Sequence, residues 1–173
     1  MTKHTRRQAH PRAMMIALIG VSFTGAMSVA SPADAATTTT TFPVSATVQA
    51  ACSMSASNIA FGTYTGATLT ATGSLSVTCT NSTSFTVGLS AGTGNGATTT
   101  TRNMMGPGAA TLSYQMFRDA GYSANWGNTI GTDTYPGVGT GSGQILTIYG
   151  RVPAGQGSTP GAYSDTITAT LTY

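Results

Sequence analysis

Apolar and polar residues alternate along residues 41–52, and this segment ends on a cysteine. Four apolar residues share one face of an extended chain here: Phe42, Val44, Ala46 and Val48. The opposite face is mostly polar, and β-branched residues are frequent. A period of two with this composition predicts a half-buried strand. We expect the strand to pair either inside its own domain or with another chain.

Short segments of the same period follow along the rest of the chain, separated by glycine, threonine, asparagine and serine. They predict six more strands, over residues 59–64, 73–80, 84–90, 111–117, 144–152 and 163–173. Apolar residues occupy both faces of the fifth of these segments, which is typical of a strand in the middle of a sheet. Glycine-rich segments at 92–101 and 132–143 are predicted to be loops or turns.

Two hairpins are predicted along this series. Residues 81–83 are a short turn between the strands 73–80 and 84–90, so we expect these strands to pair. The segment 118–127 is predicted to form a second hairpin, with Trp126 at its far end. Trp126 is the only tryptophan in the sequence. A single tryptophan in a small β domain is more often a core residue than a ligand platform, so we predict that it is buried.

The strand pattern predicts an all-β fold. Some seven short strands with threonine-rich outer faces, and no helical period, are typical of an antiparallel β-sandwich of immunoglobulin-like kind. A jelly roll is the alternative. The chain has 173 residues, and after removal of the leader described next it is long enough for one such domain but not for two.

Residues 1–35 have the composition of a secretory signal peptide. Lysine and arginine residues form a basic start, residues 13–29 form an apolar stretch, and residues 33–35 supply a small-x-small cleavage pattern. Polar residues interrupt the apolar stretch, and it is too short to be a good membrane span. We therefore predict export of the remaining chain.

Removal of this leader changes the charge and the available chemistry. Both histidines and the only lysine lie in the leader, and the sequence contains no glutamate. The charged residues that remain balance one another: Arg102, Arg118 and Arg151 against Asp119, Asp133 and Asp165. No basic patch remains for nucleic acid, and no imidazole, lysine or His–Cys cluster remains for catalysis or metal binding. We predict no enzyme activity, no cofactor, no small-molecule substrate and no nucleic-acid partner.

Cys52 and Cys79 are the only cysteines. An even number of cysteines in an exported chain indicates a single disulfide bond. Closing a loop of this size stabilises the folded state by about 3.5 kcal/mol in the chain-entropy treatment.

Several motifs, taken in order along residues 42–173, resemble the spore coat protein U domain family. They are FPVSATVQAACSMSASNIAFGTYTG, SVTCTN, TVGLSAGTG, LSYQMFRDA, WGN, LTIYGRVPAG and GAYSDTITATLTY. That family includes secreted pilin subunits of archaic, Csu-type chaperone–usher pili. The resemblance implies an incomplete immunoglobulin-like antiparallel β-sandwich that is completed by donor-strand exchange, in which the N-terminal strand of the next subunit fills the missing position.

The resemblance also implies roles for particular segments. The signal peptide would comprise residues 1–35, a donor-strand segment residues 36–50, and the β-sandwich residues 51–173. The donor residues would be those of the alternating face: Phe42, Val44, Ala46 and Val48. The acceptor groove would lie along the C-terminal strand with Ile167, Ala169, Leu171 and Tyr173.

The function implied is that of a pilin exported through the periplasm to an extracellular fibre, serving adhesion or biofilm formation. Its partners would be a periplasmic chaperone, an outer-membrane usher and other pilin subunits, joined head to tail. The presence of one domain favours a shaft or adaptor subunit over a tip subunit. The alternative is a single-domain surface-binding or coat protein of the same fold that does not polymerise.

Overall fold

The computed structural model describes residues 34–173. The chain divides into two units, Met1–Val44 and Ser45–Tyr173. In the first unit, residues 34–44 are exposed and have no regular secondary structure. The predicted signal peptide lies outside the described residues, apart from Asp34 and Ala35. The predicted domain boundaries stay predictions.

The second unit is built from β-strands. The eight strands of the described residues are β1 (Cys52–Ala56), β2 (Leu69–Cys79), β3 (Ser84–Leu89), β4 (Arg102–Met105), β5 (Thr111–Phe117), β6 (Tyr135–Val138), β7 (Gly143–Val152) and β8 (Ala169–Thr172). One short 3-10 helical turn, Pro107–Ala109, joins β4 to β5. Within the described part of the chain, no helix is long and apolar enough to cross a membrane. The all-β prediction is confirmed.

The strands form two antiparallel sheets. The order in the first is β1-β2-β7-β5-β4, and the order in the second is β6-β3-β8. β7 is the central strand of the larger sheet, as its apolar faces predicted. The apolar face of each sheet contributes to one core, in which Leu75 of β2 and Leu146 of β7 join Val87 and Leu89 of β3. The arrangement is therefore a β-sandwich.

Trp126 lies in this core, as predicted, with 0% of its surface exposed. Its indole N–H donates to the carbonyl oxygen of Val87 at 2.9 Å, so the one polar atom of the buried ring has a partner. The loop that carries Trp126 is thereby joined to β3.

The hairpin predicted from 73–80 and 84–90 is wrong, because β2 and β3 belong to different sheets. Leu75 and Val77 of β2 and Val87 of β3 all lie in one core. Two apolar faces can be buried against each other only when their strands lie in opposing sheets, and edge pairing would have left them side by side. The turn 80–83 crosses from one sheet to the other, with Ser82 in the left-handed region at φ 63°.

Other strand predictions also need correction. The segment 118–127 turns back antiparallel to the end of β5 through the isolated bridge between Phe117 and Asn125. Two backbone bonds of 2.9 Å accompany it, from Arg118 N to Ala124 O and from Trp126 N to Met116 O, so the second predicted hairpin is present only as this short pairing. β4 was not predicted, and β6 lies inside a segment predicted as turn. β6 contains Gly137, where a Cβ would collide with the Phe85 ring. Glycine is needed there for close packing, and its low strand propensity hid the strand from the sequence pattern.

Candidate functional site

A groove of about 550 Å³ opens on one side of the sandwich. One wall is the segment 56–61, which begins at the last residue of β1, and the other is the segment 163–169, which ends at the first residue of β8. The floor consists of core side chains from both sheets: Leu75, Leu89, Tyr114, Met116 and Ile148. The floor residues are each 1–6% exposed, so the core closes the groove at its base and the groove is open between its two walls.

The groove runs between two sheet edges. β1 is the first strand of the larger sheet and pairs with β2, whereas β8 is the last strand of the smaller sheet and pairs with β3. Ala56 of β1 and Ala169 of β8 both line the groove. An edge strand presents unpaired N–H and C=O groups on its outer side, which are a template for one more strand. The groove thus combines an apolar floor with two such templates.

The C-terminal wall changes sheets along its length. Ser164 exchanges two backbone hydrogen bonds with Met105 of β4, at 2.8 and 3.1 Å, which joins it to the larger sheet. Thr168 O accepts from Ser90 N at 2.9 Å, which joins it to the smaller sheet. The strand predicted over 163–173 is therefore reduced to β8, because its first half crosses between the sheets.

The carboxylate of Asp165 holds the middle of this wall. Its Oδ1 accepts from the backbone N–H and the hydroxyl of Thr93, at 2.7 and 2.9 Å, and from the backbone N–H of Thr166 at 2.7 Å. Its Oδ2 accepts from the Tyr114 hydroxyl at 2.7 Å. Burial raises the pKa of Asp165, but the donors outweigh burial and leave that pKa below its ordinary value. The pKa of Tyr114 is raised by burial and by its bond to Asp165.

The N-terminal wall packs by its side chains. Ile59 and Phe61 are half-buried and pack against the core, although residues 59–64 form no strand as had been predicted. Two glycines make room for them. A Cβ on Gly73 would lie 2.4 Å from Ile59 Cγ1, and a Cβ on Gly150 would lie 2.7 Å from the Phe61 ring. The alternation of Ile59 and Phe61 thus reflects anchoring on the sheet face, not backbone pairing.

The predicted acceptor residues lie in different places. Ile167 and Ala169 line the groove, whereas Leu171 packs against the core within β8. Tyr173 follows β8 and is 60% exposed. The sequence prediction omitted several residues that line the groove, among them Phe61, Met104, Tyr114, Tyr163 and Asp165. The alternating apolar residues of 111–117 predicted a strand at Tyr114, but no sequence signal linked it to Asp165.

The predicted donor residues are exposed. Phe42 is 79% exposed, Val44 and Val48 are each 86% exposed, and Ala46 is also exposed. Residues 34–51 contain no strand, so the strand predicted over 41–52 is not formed within the chain before Cys52. An isolated strand lacks the cross-strand contacts that stabilise it, which accounts for this difference. The role of these residues as a donor strand stays a prediction.

The predicted disulfide is confirmed. Cys52 and Cys79 are bonded, with their Cα atoms 4.1 Å apart. They are also cross-strand partners, because Cys52 begins β1 and Cys79 ends β2. The bond therefore fixes the start of the edge strand β1, at the point where the exposed segment 34–51 enters the domain.

A buried arginine, Arg102, holds together the backbone segments next to the groove floor at Leu89. Arg102 is 0% exposed, and its guanidinium donates to the backbone carbonyl oxygens of Leu89, Ser90, Thr99 and Trp126. Burial lowers the pKa of Arg102, partly offset by Tyr114 and Asp165. These bonds tie the end of β3 to the start of β4, close to the groove-lining residue Leu89.

Comparison with known proteins agrees with the sequence resemblance. Protein U of Myxococcus xanthus is 35% identical over 178 residues, which cover 93% of this chain and 99% of that protein. One chain of the CsuC–CsuE chaperone–tip adhesion subunit pre-assembly complex, from archaic chaperone–usher Csu pili of Acinetobacter baumannii, matches with a TM-score of 0.57. That match has 19% identity and covers 73% of this chain but 41% of that chain, so it supports a shared fold. Because residues 38–170 match the family described as Spore Coat Protein U domain, the chain belongs to the spore coat protein U domain family.

Proposed function

We propose that the protein is a pilin, a structural subunit of a secreted fibre that is assembled by the chaperone–usher pathway through donor-strand complementation. The observation that carries this proposal is the open groove, whose floor is made of core side chains and whose two walls, 56–61 and 163–169, adjoin the edge strands β1 and β8. The same chain carries an exposed segment with alternating apolar residues, 42–48. The proposal is that this segment of one subunit fills the groove of the next.

The physical basis of this assembly is β-augmentation. A strand laid between β1 and β8 forms main-chain hydrogen bonds with the free edges, and every second side chain enters the groove. Burial of Phe42, Val44 and Val48 contributes about 1.5 to 3 kcal/mol for each side chain, and Ala46 contributes less. The donor and the groove are different surfaces of the subunit, so the contact is head to tail and extends into a filament.

The partners follow from the same mechanism. Before assembly the groove leaves apolar side chains such as Ile59, Phe61 and Ile167 only partly buried, so we propose that a periplasmic chaperone covers the groove and an outer-membrane usher receives the complex. The named complex of A. baumannii joins a chaperone to a pilus subunit, which supports this choice. The proposed location is an extracellular pilus at the cell surface, with a role in adhesion or biofilm formation.

A second candidate is a surface-binding or coat protein of the same fold that does not polymerise. The family description names a spore coat protein, and Protein U of M. xanthus is 35% identical to this chain. In a coat protein of that kind, the segment 42–48 would have no role in joining subunits. The two functions therefore differ in what the N-terminal segment does.

Self-complementation tests the proposal. Residues 37–49 are appended after Tyr173 through a short flexible linker, and the melting temperature and sedimentation are compared with those of the native mature chain. We expect the extended chain to be a monomer with a higher melting temperature, because its groove is filled from its own end. An extended chain with unchanged stability and unchanged assembly would overturn the pilin mechanism. A matched extension with Val44 and Val48 both replaced by aspartate should give no stabilisation.

A further inference from the structure

We propose that Tyr114 and Asp165 are positioning residues that hold the two walls of the groove at the separation a donor strand requires. This inference rests on the proposed function, because it assigns a role within the same groove. The occupant is the segment 42–48 of a second copy of this chain.

The C-terminal wall depends on side-chain bonds in its middle part. Its ends are fixed by backbone bonds, at Ser164 to the larger sheet and at Thr168 to the smaller sheet. Between these two points the wall is held by the carboxylate of Asp165, which is bonded to Thr93 and to Tyr114. Charge-assisted hydrogen bonds of this length are stronger than neutral ones. Asp165 is therefore the point at which this wall is tied to the body of the domain.

Tyr114 contacts both walls of the groove. Its hydroxyl donates to Asp165 at 2.7 Å, and its ring makes an edge contact with Phe61 of the opposite wall, with ring centroids 5.9 Å apart. Tyr114 is 3% exposed and lies in β5, next to the central strand β7, so its position is well fixed. The ring thus acts as a rigid spacer that sets the distance from Phe61 to Asp165.

The space around the Asp165 carboxylate is restricted by the backbone at Gly92. Gly92 adopts φ +87°, and a side chain there would collide with the Asp165 carboxylate. Loss of the Tyr114–Asp165 bond would leave the middle of the wall held by Thr93 alone, so this part could move between its fixed ends at Ser164 and Thr168. The partly buried apolar side chains that line the groove, including Ile59 and Ile167, favour movement that buries them further. A donor strand would then have to displace this wall before it could bind.

The test measures binding of a fluorescent peptide, residues 37–50, to the mature chain at low concentration. The variants are Tyr114→Phe, Asp165→Asn and the double variant. Tyr64→Phe is the matched control, because the Tyr64 hydroxyl also donates to a distant segment, to Pro153 O at 3.0 Å, and Tyr64 lies outside the groove lining. Fluorescence of the buried Trp126 gives the folded fraction, to which every association rate and affinity is normalised.

We expect each single variant to bind the peptide about tenfold more weakly, mainly through slower association, while Tyr64→Phe binds like the native chain. The double variant should bind no more weakly than Asp165→Asn alone, because that change weakens the bond to Tyr114 together with the bonds to Thr93. A general loss of stability would lower the folded fraction without this pattern in the normalised rates. If Asp165→Asn does not fold, Tyr114→Phe decides, because it keeps the ring and its contact with Phe61.

Native-like peptide binding by both single variants, or fully additive effects in the double variant, would overturn this inference and leave the proposed function intact. Failure of the native chain itself to bind the peptide would overturn the proposed function and the inference with it.

Discussion

Val44 and Val48 are exposed apolar side chains that we expect to be buried in the groove of the next subunit. We predict that replacing both with aspartate abolishes assembly and leaves the domain folded, because an unpaired charge forced into the apolar groove costs several kcal/mol. Ser45→Asp with Thr47→Asp is the matched control, since it adds the same charge to the opposite face of the same segment. Sedimentation and near-ultraviolet circular dichroism measure assembly and folding. Equal loss of assembly in both double variants would argue against burial of the valine face.

Single residues of the groove differed in how far the sequence predicted them. Ile167 and Ala169 belong to an alternating pattern, and an alternating pattern predicts which side chains face a core. Asp165 and Arg102 contributed to the sequence predictions only through the balance of charge. Arg102 is 0% exposed, and its partners are carbonyl oxygens of residues up to 24 positions away. A backbone carbonyl has no sequence signature, so neither burial nor partners of this arginine can be predicted from the sequence pattern.

Among the strands, the sequence predicted those whose apolar residues alternate over a full strand length. β5 and β7 match their predictions nearly residue for residue, and β2 and β3 lie close to theirs. The errors have a common physical cause, which is that backbone pairing and side-chain burial are separate quantities. Residues 59–64 bury alternate side chains without pairing, whereas β6 pairs through Pro136 and Gly137 with little apolar pattern. An alternation of apolar and polar residues indicates which side chains are buried, but it does not indicate whether the backbone pairs with another strand.

The disulfide stabilises the edge strand β1, which forms one side of the groove. We predict that Cys52→Ala with Cys79→Ala lowers the free energy of unfolding by about 3.5 kcal/mol, because the unfolded chain loses a closed loop. Urea unfolding of the native and variant chains measures the loss. The reduced native chain should unfold like the variant, and the variant should not respond to reductant. A stability difference below about 1 kcal/mol would contradict this role of the bond.

The free energy of unfolding of the domain should fall in acid and in strong base. The pKa values of Asp119 and Asp165 are lowered in the folded state, by hydrogen bonds from Ala124 and Ser123 in the first case and by donors that outweigh burial in the second. Their contribution to stability is present above the ordinary value of 3.8 and is lost as pH falls through the lowered folded values. The raised pKa of Tyr114 has the opposite sign, so stability falls as pH rises above 10.0.

Unfolding by urea between pH 2 and pH 11 checks both limits, and the comparison with Asp165→Asn separates the two carboxylates. We expect that variant to lose less stability on acidification than the native chain, because one of the two titrating groups is gone. A native chain and variant with the same pH profile would show that Asp165 does not contribute.

The open groove has a consequence for the behaviour of the isolated chain. Partly buried apolar side chains such as Ile59 and Ile167 line it, and the edges of β1 and β8 are free to pair. Exposed apolar surface next to unpaired strand edges promotes association. We predict that the mature chain, expressed alone, associates in a concentration-dependent way, and that co-expression with a chaperone able to cover the groove gives a soluble one-to-one complex. Size-exclusion chromatography with light scattering measures both states.

The N-terminal segment provides the control for that association. A chain lacking residues 36–50 keeps the groove but has no donor, so it should still bind the chaperone and should fail to form ordered fibres. If this truncated chain unfolds, the segment belongs to its own domain and donation to a neighbour is ruled out. If it folds and still forms fibres, another surface joins the subunits. Only a truncated chain that folds, binds the chaperone and forms no fibres agrees with a groove that is filled by the N-terminal segment of the next copy.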